Sequence, residues 1–212
     1  MTTTLAPAEQ RFVLDDVTWT FYESLLKEVG DRHIFITYDR GRLELMAPSY
    51  WHDRNAEAVG AFIAVLAEEL DVGFAAAGST TFRREDLKRG LEPDKCFYLA
   101  NEPRVRGKRE IDLDVDPPPD LAVEVEISRR LGARPAIYAA LDVPELWRYD
   151  GERLSVWLLA SDGQYQAADR SESFPSLPLN KAEEMLTDFH RMDQVAWMRK
   201  TRAWVRENLL RP

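Results

Sequence analysis

Residues 121–127 alternate between apolar and acidic side chains, and this alternation constrains the fold more than any other feature of the chain. Successive side chains of a β-strand point to opposite faces, so Val123 and Val125 share one face. Glu124 and Glu126 share the other face and project side by side. Strands with one solvated polar face are common in antiparallel sheets, so these two glutamates alone do not indicate a site.

A second acidic motif, Glu-Pro-Asp, ends at Asp94 and is followed by the apolar run 96–99. If the two segments are neighbouring strands, the carboxylates of Asp94, Glu124 and Glu126 crowd one place. Like charges that close repel unless a proton or a cation lies between them. Mg²⁺ and Mn²⁺ prefer oxygen ligands and would relieve the repulsion. The sequence therefore predicts a divalent metal site.

The composition bounds the class of protein. The chain has 212 residues, 45% of them hydrophobic, which fits a single domain over 1–212 with 181–212 as an appended C-terminal helix. The single Cys96 excludes an internal disulfide and suits a reducing compartment, so we expect a cytoplasmic protein. No apolar run is long enough to cross a bilayer. The net charge of −9 disfavours a non-specific nucleic-acid binder but does not exclude a nuclease, because a metal offsets clustered carboxylates.

Hydrophobic periodicity predicts an α/β (α+β) fold with an N-terminal helix and hairpin. The predicted helices are 16–29, 52–70, 134–141 and a tail over 181–210. The predicted strands are 33–38, 42–46, 78–82, 95–99, 121–127, 146–149, 154–159 and 164–167. The tail is unusually apolar, which indicates either packing on its own domain or a homodimer interface.

Several short motifs occur in a fixed order along the chain. They lie at 37–41, 43–48, 90–94, 96–98, 116–125, 137–141, 143–145 and 147–150, with a histidine at 52. In these motifs and their order, the chain resembles the Uma-two family of restriction-endonuclease-like proteins, within the PD-(D/E)xK nuclease superfamily. The resemblance spans roughly residues 12–190.

The resemblance implies a mixed β-sheet core flanked by helices, and DNA as the substrate. It implies Asp94 and Glu124 as ligands of Mg²⁺ or Mn²⁺, with metal-bound water as the nucleophile. A glutamate from the preceding helix sometimes joins such sites, and Glu57 is the candidate, with Asp53 second. His52 would orient the helix start or a ligand.

The chain departs from the superfamily pattern at the lysine. That lysine follows the second acid by two positions, where this chain has Glu126. Relatives of this type carry the lysine four residues before the tyrosine that matches Tyr138, where this chain has Arg134. An arginine binds phosphate through two N–H groups but stays protonated, so it cannot accept a proton. The predicted catalytic set is therefore Asp94, Glu124, Glu126 and Arg134, with reduced activity.

Three alternative functions are consistent with these residues. The first is a metal-dependent endonuclease acting on DNA, and the second is a nuclease fold that has lost catalysis and serves as a binding or regulatory module. The third is a glycosidase-like acid pair, which two carboxylates also support, but the acids lack the flanking aromatic residues of a sugar site.

Overall fold

The computed structural model describes residues 9–30, 32–127 and 132–210. Within these ranges the chain forms two sheets and six helices, which confirms the predicted α/β class. The strands are Gln10–Leu14 (β1), Phe35–Asp39 (β2), Arg42–Ala47 (β3), Ala75–Ala76 (β4), Phe82–Arg84 (β5), Arg89–Leu91 (β6), Lys95–Tyr98 (β7), Leu121–Val125 (β8), Glu145–Tyr149 (β9), Leu154–Leu159 (β10) and Tyr165–Ala168 (β11). The helices are Trp19–Val29 (α1), Tyr50–Glu69 (α2), Glu102–Val105 (α3), Arg134–Ala140 (α4), Leu179–Phe189 (α5) and Gln194–Asn208 (α6).

The larger sheet is mixed and has the order β11-β10-β9-β8-β7-β4. Strand β8 is central: it pairs antiparallel with β7 and parallel with β9, and α4 lies in the connection between the parallel strands. Val123 and Trp147 pack with α2, α5 and α6 on one face, whereas Ala122 and Leu146 pack with α4 on the other. Both faces of β8 are therefore covered, so Glu124 is buried and does not lie on a solvated polar face.

The smaller sheet has the order β1-β3-β2-β6-β5 and is antiparallel throughout. The predicted hairpin is β2–β3, and α1 packs Trp19 and Tyr22 against Tyr38 of β2. Helix α1 begins later than predicted because Thr18 caps it, accepting a hydrogen bond from the N–H of Phe21 at 3.2 Å. The sequence pattern did not predict β1, and β4 and β5 replace the predicted strand 78–82.

The apolar tail contains two helices, not one. Asp193 begins the second by accepting a hydrogen bond from the N–H of Ala196 at 3.0 Å. Phe189 and Trp197 are fully buried in the same core as α2, so the tail packs on its own domain. Within the described residues, no helix has the length and apolar character needed to span a membrane.

Candidate active site

Strands β7 and β8 bring Asp94 next to Glu124, two acids far apart in the sequence. Asp94 immediately precedes β7, and its Oδ2 accepts a hydrogen bond of 2.6 Å from the backbone N–H of Val125. Val125 directly follows Glu124 on β8, so this bond places the two carboxylates beside each other. We call Asp94 and Glu124 the acid pair. Their predicted neighbourhood is therefore observed, while their role as metal ligands stays a prediction.

Asp94 has one oxygen free for a ligand. The residue is buried, and its Oδ1 has no hydrogen-bond partner among the described residues. A buried acceptor without a partner loses its hydration without compensation, which is costly unless something else binds it. Asp94 also lines a cavity, so a small cation or a water molecule could reach this part of the site.

His52 lies behind Asp94 at the start of α2. Its side chain is buried, with Nε2 at 3.3 Å from Asp94 Oδ2 and Nδ1 at 3.7 Å from Asp53 Oδ1. Burial is the largest influence and lowers the pKa of His52, but the nearby carboxylates, Asp94 first, raise it above its ordinary value overall. A protonated imidazolium here would offset the charge of Asp94. The supporting role predicted for His52 stays a prediction.

Glu124 is fully engaged by two residues of α4. Arg134 donates from Nε to Oε2 at 2.9 Å and from Nη2 to Oε1 at 2.5 Å. The Tyr138 hydroxyl also donates to Oε1. Burial raises the pKa of Glu124 to about 7, and the charge of Asp94 adds to this rise while Arg134 opposes it. Glu124 is thus held by an ion pair with Arg134 and a hydrogen bond from Tyr138.

Arg134 is itself locked in place. Besides its two bonds to Glu124, it donates from Nη1 to Thr37 Oγ1 at 2.5 Å and from Nη2 to the Glu92 carbonyl at 2.6 Å. Four of the five guanidinium N–H groups therefore have partners. Only 7% of the side chain is exposed. Arg134 reaches the acid pair as the resemblance implies, but it faces Glu124 and not solvent.

Glu126 does not join the acid pair. Strand β8 ends at Val125, and beyond it both oxygens of Glu126 accept hydrogen bonds from Arg148 Nη2, at 2.7 and 2.9 Å. The Arg148 guanidinium in turn lies over the ring of Trp157, 4.9 Å from its centroid. Within the described residues no three acids are grouped for a metal ion, so the expectation that three carboxylates crowd one place is wrong: Arg148 pairs with Glu126. Its predicted catalytic role stays untested.

A cavity of about 330 Å³ opens beside Asp94. Its lining is His33, Phe35, His52, Asp53, Ala56, Glu57, Gly78, Ser79, Asp94 and Lys95. Glu57, predicted as a third acid, instead forms an ion pair with Lys95, with 2.5 Å between Oε1 and Nζ. Sequence reasoning missed Lys95, since strand alternation directs it away from the face of Asp94.

A second cavity of about 350 Å³ adjoins the first, with His33, Phe35 and Ser79 in the lining of both. Arg32 and Glu92 lie along its other side. Glu92 accepts hydrogen bonds from the N–H of Ile36 and from the Thr81 hydroxyl, and its burial raises its pKa. We call the two adjoining cavities the groove.

Within the described residues, Oδ1 of Asp94 is the oxygen of the acid pair that has no hydrogen-bond partner and would be open to a divalent cation. Mg²⁺ usually takes one or two carboxylates and completes its shell with water and substrate phosphate. Asp94 Oδ1 is available, whereas Glu124 would have to exchange a bond with Arg134. Within the described ranges, no group of three or more His, Cys, Asp or Glu side chains is arranged to enclose a metal ion.

The comparison with family models confirms the family that the motifs predict. The model of the Uma2 family, described as "Putative restriction endonuclease", matches residues 19–189, and the chain belongs to this family. A crystal structure of a "putative nuclease belonging to DUF820" from Anabaena variabilis shares 15% identity with this chain. It has a TM-score of 0.47, and the match covers 77% of this chain and 90% of that one. No functionally curated protein matches the chain.

Proposed function

We propose that this protein is a divalent-metal-dependent endonuclease that hydrolyses DNA phosphodiester bonds at a low rate. The observation that carries the proposal is the 2.6 Å hydrogen bond between Asp94 and Val125, which holds the acid pair together with Asp94 at the wall of the groove. Asp94 and Glu124 would hold Mg²⁺ or Mn²⁺. When bound, the ion would activate water and stabilise charge on the phosphate.

The chain's own residues explain why the rate would be low. The guanidinium of Arg134 covers both oxygens of Glu124 and leaves that carboxylate little capacity for a second cation. Arg134 also stays protonated, so it cannot take a proton from attacking water. The imidazole of His52 lies with Nε2 at 3.3 Å from Oδ2 of Asp94 and would offset the charge of that carboxylate when protonated.

The second candidate is a DNA-binding or regulatory module without catalysis. The ion pair between Arg134 and Glu124 favours it. The guanidinium of Arg134 already offsets the charge of Glu124, so this carboxylate does not require a metal for electrostatic balance. The two candidates make opposite predictions about metal binding, and this separates them.

Titration calorimetry with Mn²⁺ tests the proposal directly, with plasmid cleavage as the second readout. Asp94→Asn is the informative variant because an amide oxygen can still accept the hydrogen bond from Val125. Asp162→Asn, in the exposed turn between β10 and β11, is the matched control. We expect one Mn²⁺ site and slow cleavage in the natural protein and in the control, and loss of both in Asp94→Asn.

Two results would contradict the nuclease proposal. Absence of Mn²⁺ binding to the natural protein would favour the binding module. Equal cleavage by Asp94→Asn and the natural protein would place any activity outside the acid pair, or in a contaminant.

We also propose a cytoplasmic homodimer, as the sequence predicts. The buried Cys96 suits a reducing compartment. The apolar face of the tail is used within its own domain, so a dimer would form through another surface. Sedimentation would settle the mass, and a single species at 24.4 kDa would remove the dimer.

A further inference from the structure

The cavity beside Asp94 has an unfavourable charge for a phosphodiester. Three carboxylates line it, those of Asp53, Glu57 and Asp94, and its two histidines are cationic only when protonated. Lys95 is the one lining residue with a permanent positive charge. An anionic substrate that enters this cavity therefore needs either a metal ion or Lys95 as its counter-charge.

The position of Lys95 suits that role. It begins β7, directly after Asp94, and the carbons of its side chain run past Gly60 of α2. A Cβ at Gly60 would lie 3.6 Å from these carbons, so the glycine leaves space for the lysine stem. The ammonium then ends beside Glu57, one turn nearer the start of the helix, in the same cavity as Asp94.

Arg134 cannot take this role without breaking its own contacts. Four of its five N–H groups are bonded to Glu124, Thr37 and Glu92, and 7% of its side chain is exposed. By contrast, 25% of the Lys95 side chain is exposed, and Nζ has three N–H donors but one partner within the described residues. Among the described residues that line the cavity, Lys95 is thus the accessible lysine or arginine beside Asp94.

In the ion pair between Lys95 and Glu57, another anion can replace the Glu57 carboxylate at the ammonium. Glu57 is 64% exposed, and exposed ion pairs contribute little because water solvates both partners. A phosphate oxygen can replace the carboxylate at the ammonium at small cost. Glu57 therefore holds the ammonium in the cavity without blocking it.

We propose that Lys95 binds a non-bridging oxygen of the DNA phosphate that lies against Asp94, and that Glu57 positions its ammonium until the DNA arrives. The proposal rests on the nuclease function proposed above and assigns this chain's phosphate contact to Lys95 instead of Arg134. Lys95 acts in this proposal as a hydrogen-bond donor to the phosphate and takes no part in proton transfer.

The test measures DNA affinity separately from cleavage. A short fluorescein-labelled DNA duplex is titrated with protein in Ca²⁺ and in EDTA at several salt concentrations, and anisotropy gives Kd. Lys95→Met removes the charge and keeps the stem, while Lys95→Arg keeps the charge. Lys200→Met is the matched control, because Lys200 also pairs with a carboxylate, Asp188 at 2.6 Å, but lies outside the groove. Thermal melting verifies that each variant is folded.

We expect Lys95→Met to raise Kd about tenfold and to reduce the salt slope by about one, with Lys95→Arg and Lys200→Met close to the natural protein. Glu57→Gln should bind as tightly as the natural protein or more tightly. Equal affinity of Lys95→Met and Lys200→Met, or no DNA binding by the natural protein, would overturn the inference.

The two proposals fail in different ways. If the natural protein binds DNA through Lys95 but cleaves nothing in Mg²⁺ or Mn²⁺, the nuclease proposal fails and the phosphate contact stands. If cleavage and affinity both survive Lys95→Met, the nuclease stands and the contact belongs to another residue.

Discussion

The backbone N–H of Val125 donates a 2.6 Å hydrogen bond to Oδ2 of Asp94. The bond therefore joins Asp94, which directly precedes β7, to Val125, which directly follows Glu124 on β8. It occupies one oxygen of Asp94 and leaves Oδ1 without a partner. The acid pair is therefore positioned by the backbone of β8, so changes at Glu124 or Arg134 can alter the chemistry while the position of Asp94 is retained.

Arg134→Lys should increase cleavage. A lysine keeps the positive charge but cannot cover both oxygens of Glu124 as the guanidinium does, so the carboxylate gains capacity for a cation. We expect the initial rate of plasmid nicking in Mn²⁺ to rise by about tenfold, which corresponds to roughly 1.4 kcal/mol of transition-state stabilisation.

Arg148→Lys is the control for that experiment, since Arg148 also holds a glutamate through more than one N–H. Its nicking rate should match that of the natural protein. A rise of equal size in both variants would attribute the effect to general loosening of the fold and not to Glu124.

Arg134→Met should destabilise the protein at neutral pH. It leaves Glu124 buried without its cation, and breaking one side of a buried ion pair typically costs about 3–5 kcal/mol. Urea unfolding followed by circular dichroism measures the loss. The double variant with Glu124→Gln should lose less than the sum of the two single variants, because the unpaired charge is gone. Strict additivity would show that the two side chains do not stabilise each other.

Local patterns predicted much of the site. Alternation along β8 placed Glu124 on the face opposite Val123. Arg134 was instead located by the family resemblance, and its four-residue spacing from Tyr138 explains why both reach Glu124 from one face of α4. The Glu-Pro-Asp motif predicted Asp94 at the start of a strand. Periodicities of this kind depend on neighbouring residues, so one sequence suffices to read them.

The remainder depends on tertiary contacts. Nothing local shows that α4 covers the second face of β8 or that the strand ends before Glu126. Lys95 reaches the cavity because its long side chain runs past Gly60, a contact between elements far apart in the chain. Strand β1 was missed because its polar and apolar residues do not alternate with burial: most of it is exposed.

Glu124 should give the protein a distinctive dependence of stability on pH. Burial raises its pKa from 4.5 to about 7, so the folded state holds the proton more tightly than the unfolded state. The stabilisation is therefore complete below the unfolded pKa and is lost as pH rises through the folded one. Relative to Glu124→Gln, the free energy of unfolding of the natural protein should fall between pH 4.5 and 7, by at most roughly 1.4 kcal/mol per pH unit.

Denaturant titrations of both proteins at matched pH values measure this difference. Subtracting the variant removes the contributions of the other carboxylates. A difference that increases with pH over this interval would mean that the charge of Arg134 outweighs burial and that the pKa of Glu124 is lowered in the folded state.

The tail should unfold together with the sheet. Trp197 of α6 is fully buried, donates from Nε1 to the Met185 carbonyl at 2.7 Å, and lies edge-on to Phe189 with 5.0 Å between ring centroids. Trp197→Ala removes this packing and should cost about 3–5 kcal/mol of unfolding free energy in a single transition. The partly buried Trp204, changed in the same way, should lose less. If Trp197→Ala instead splits unfolding into two transitions and leaves the later one unshifted, α5 and α6 form a separate cooperative unit and the single-domain prediction is wrong.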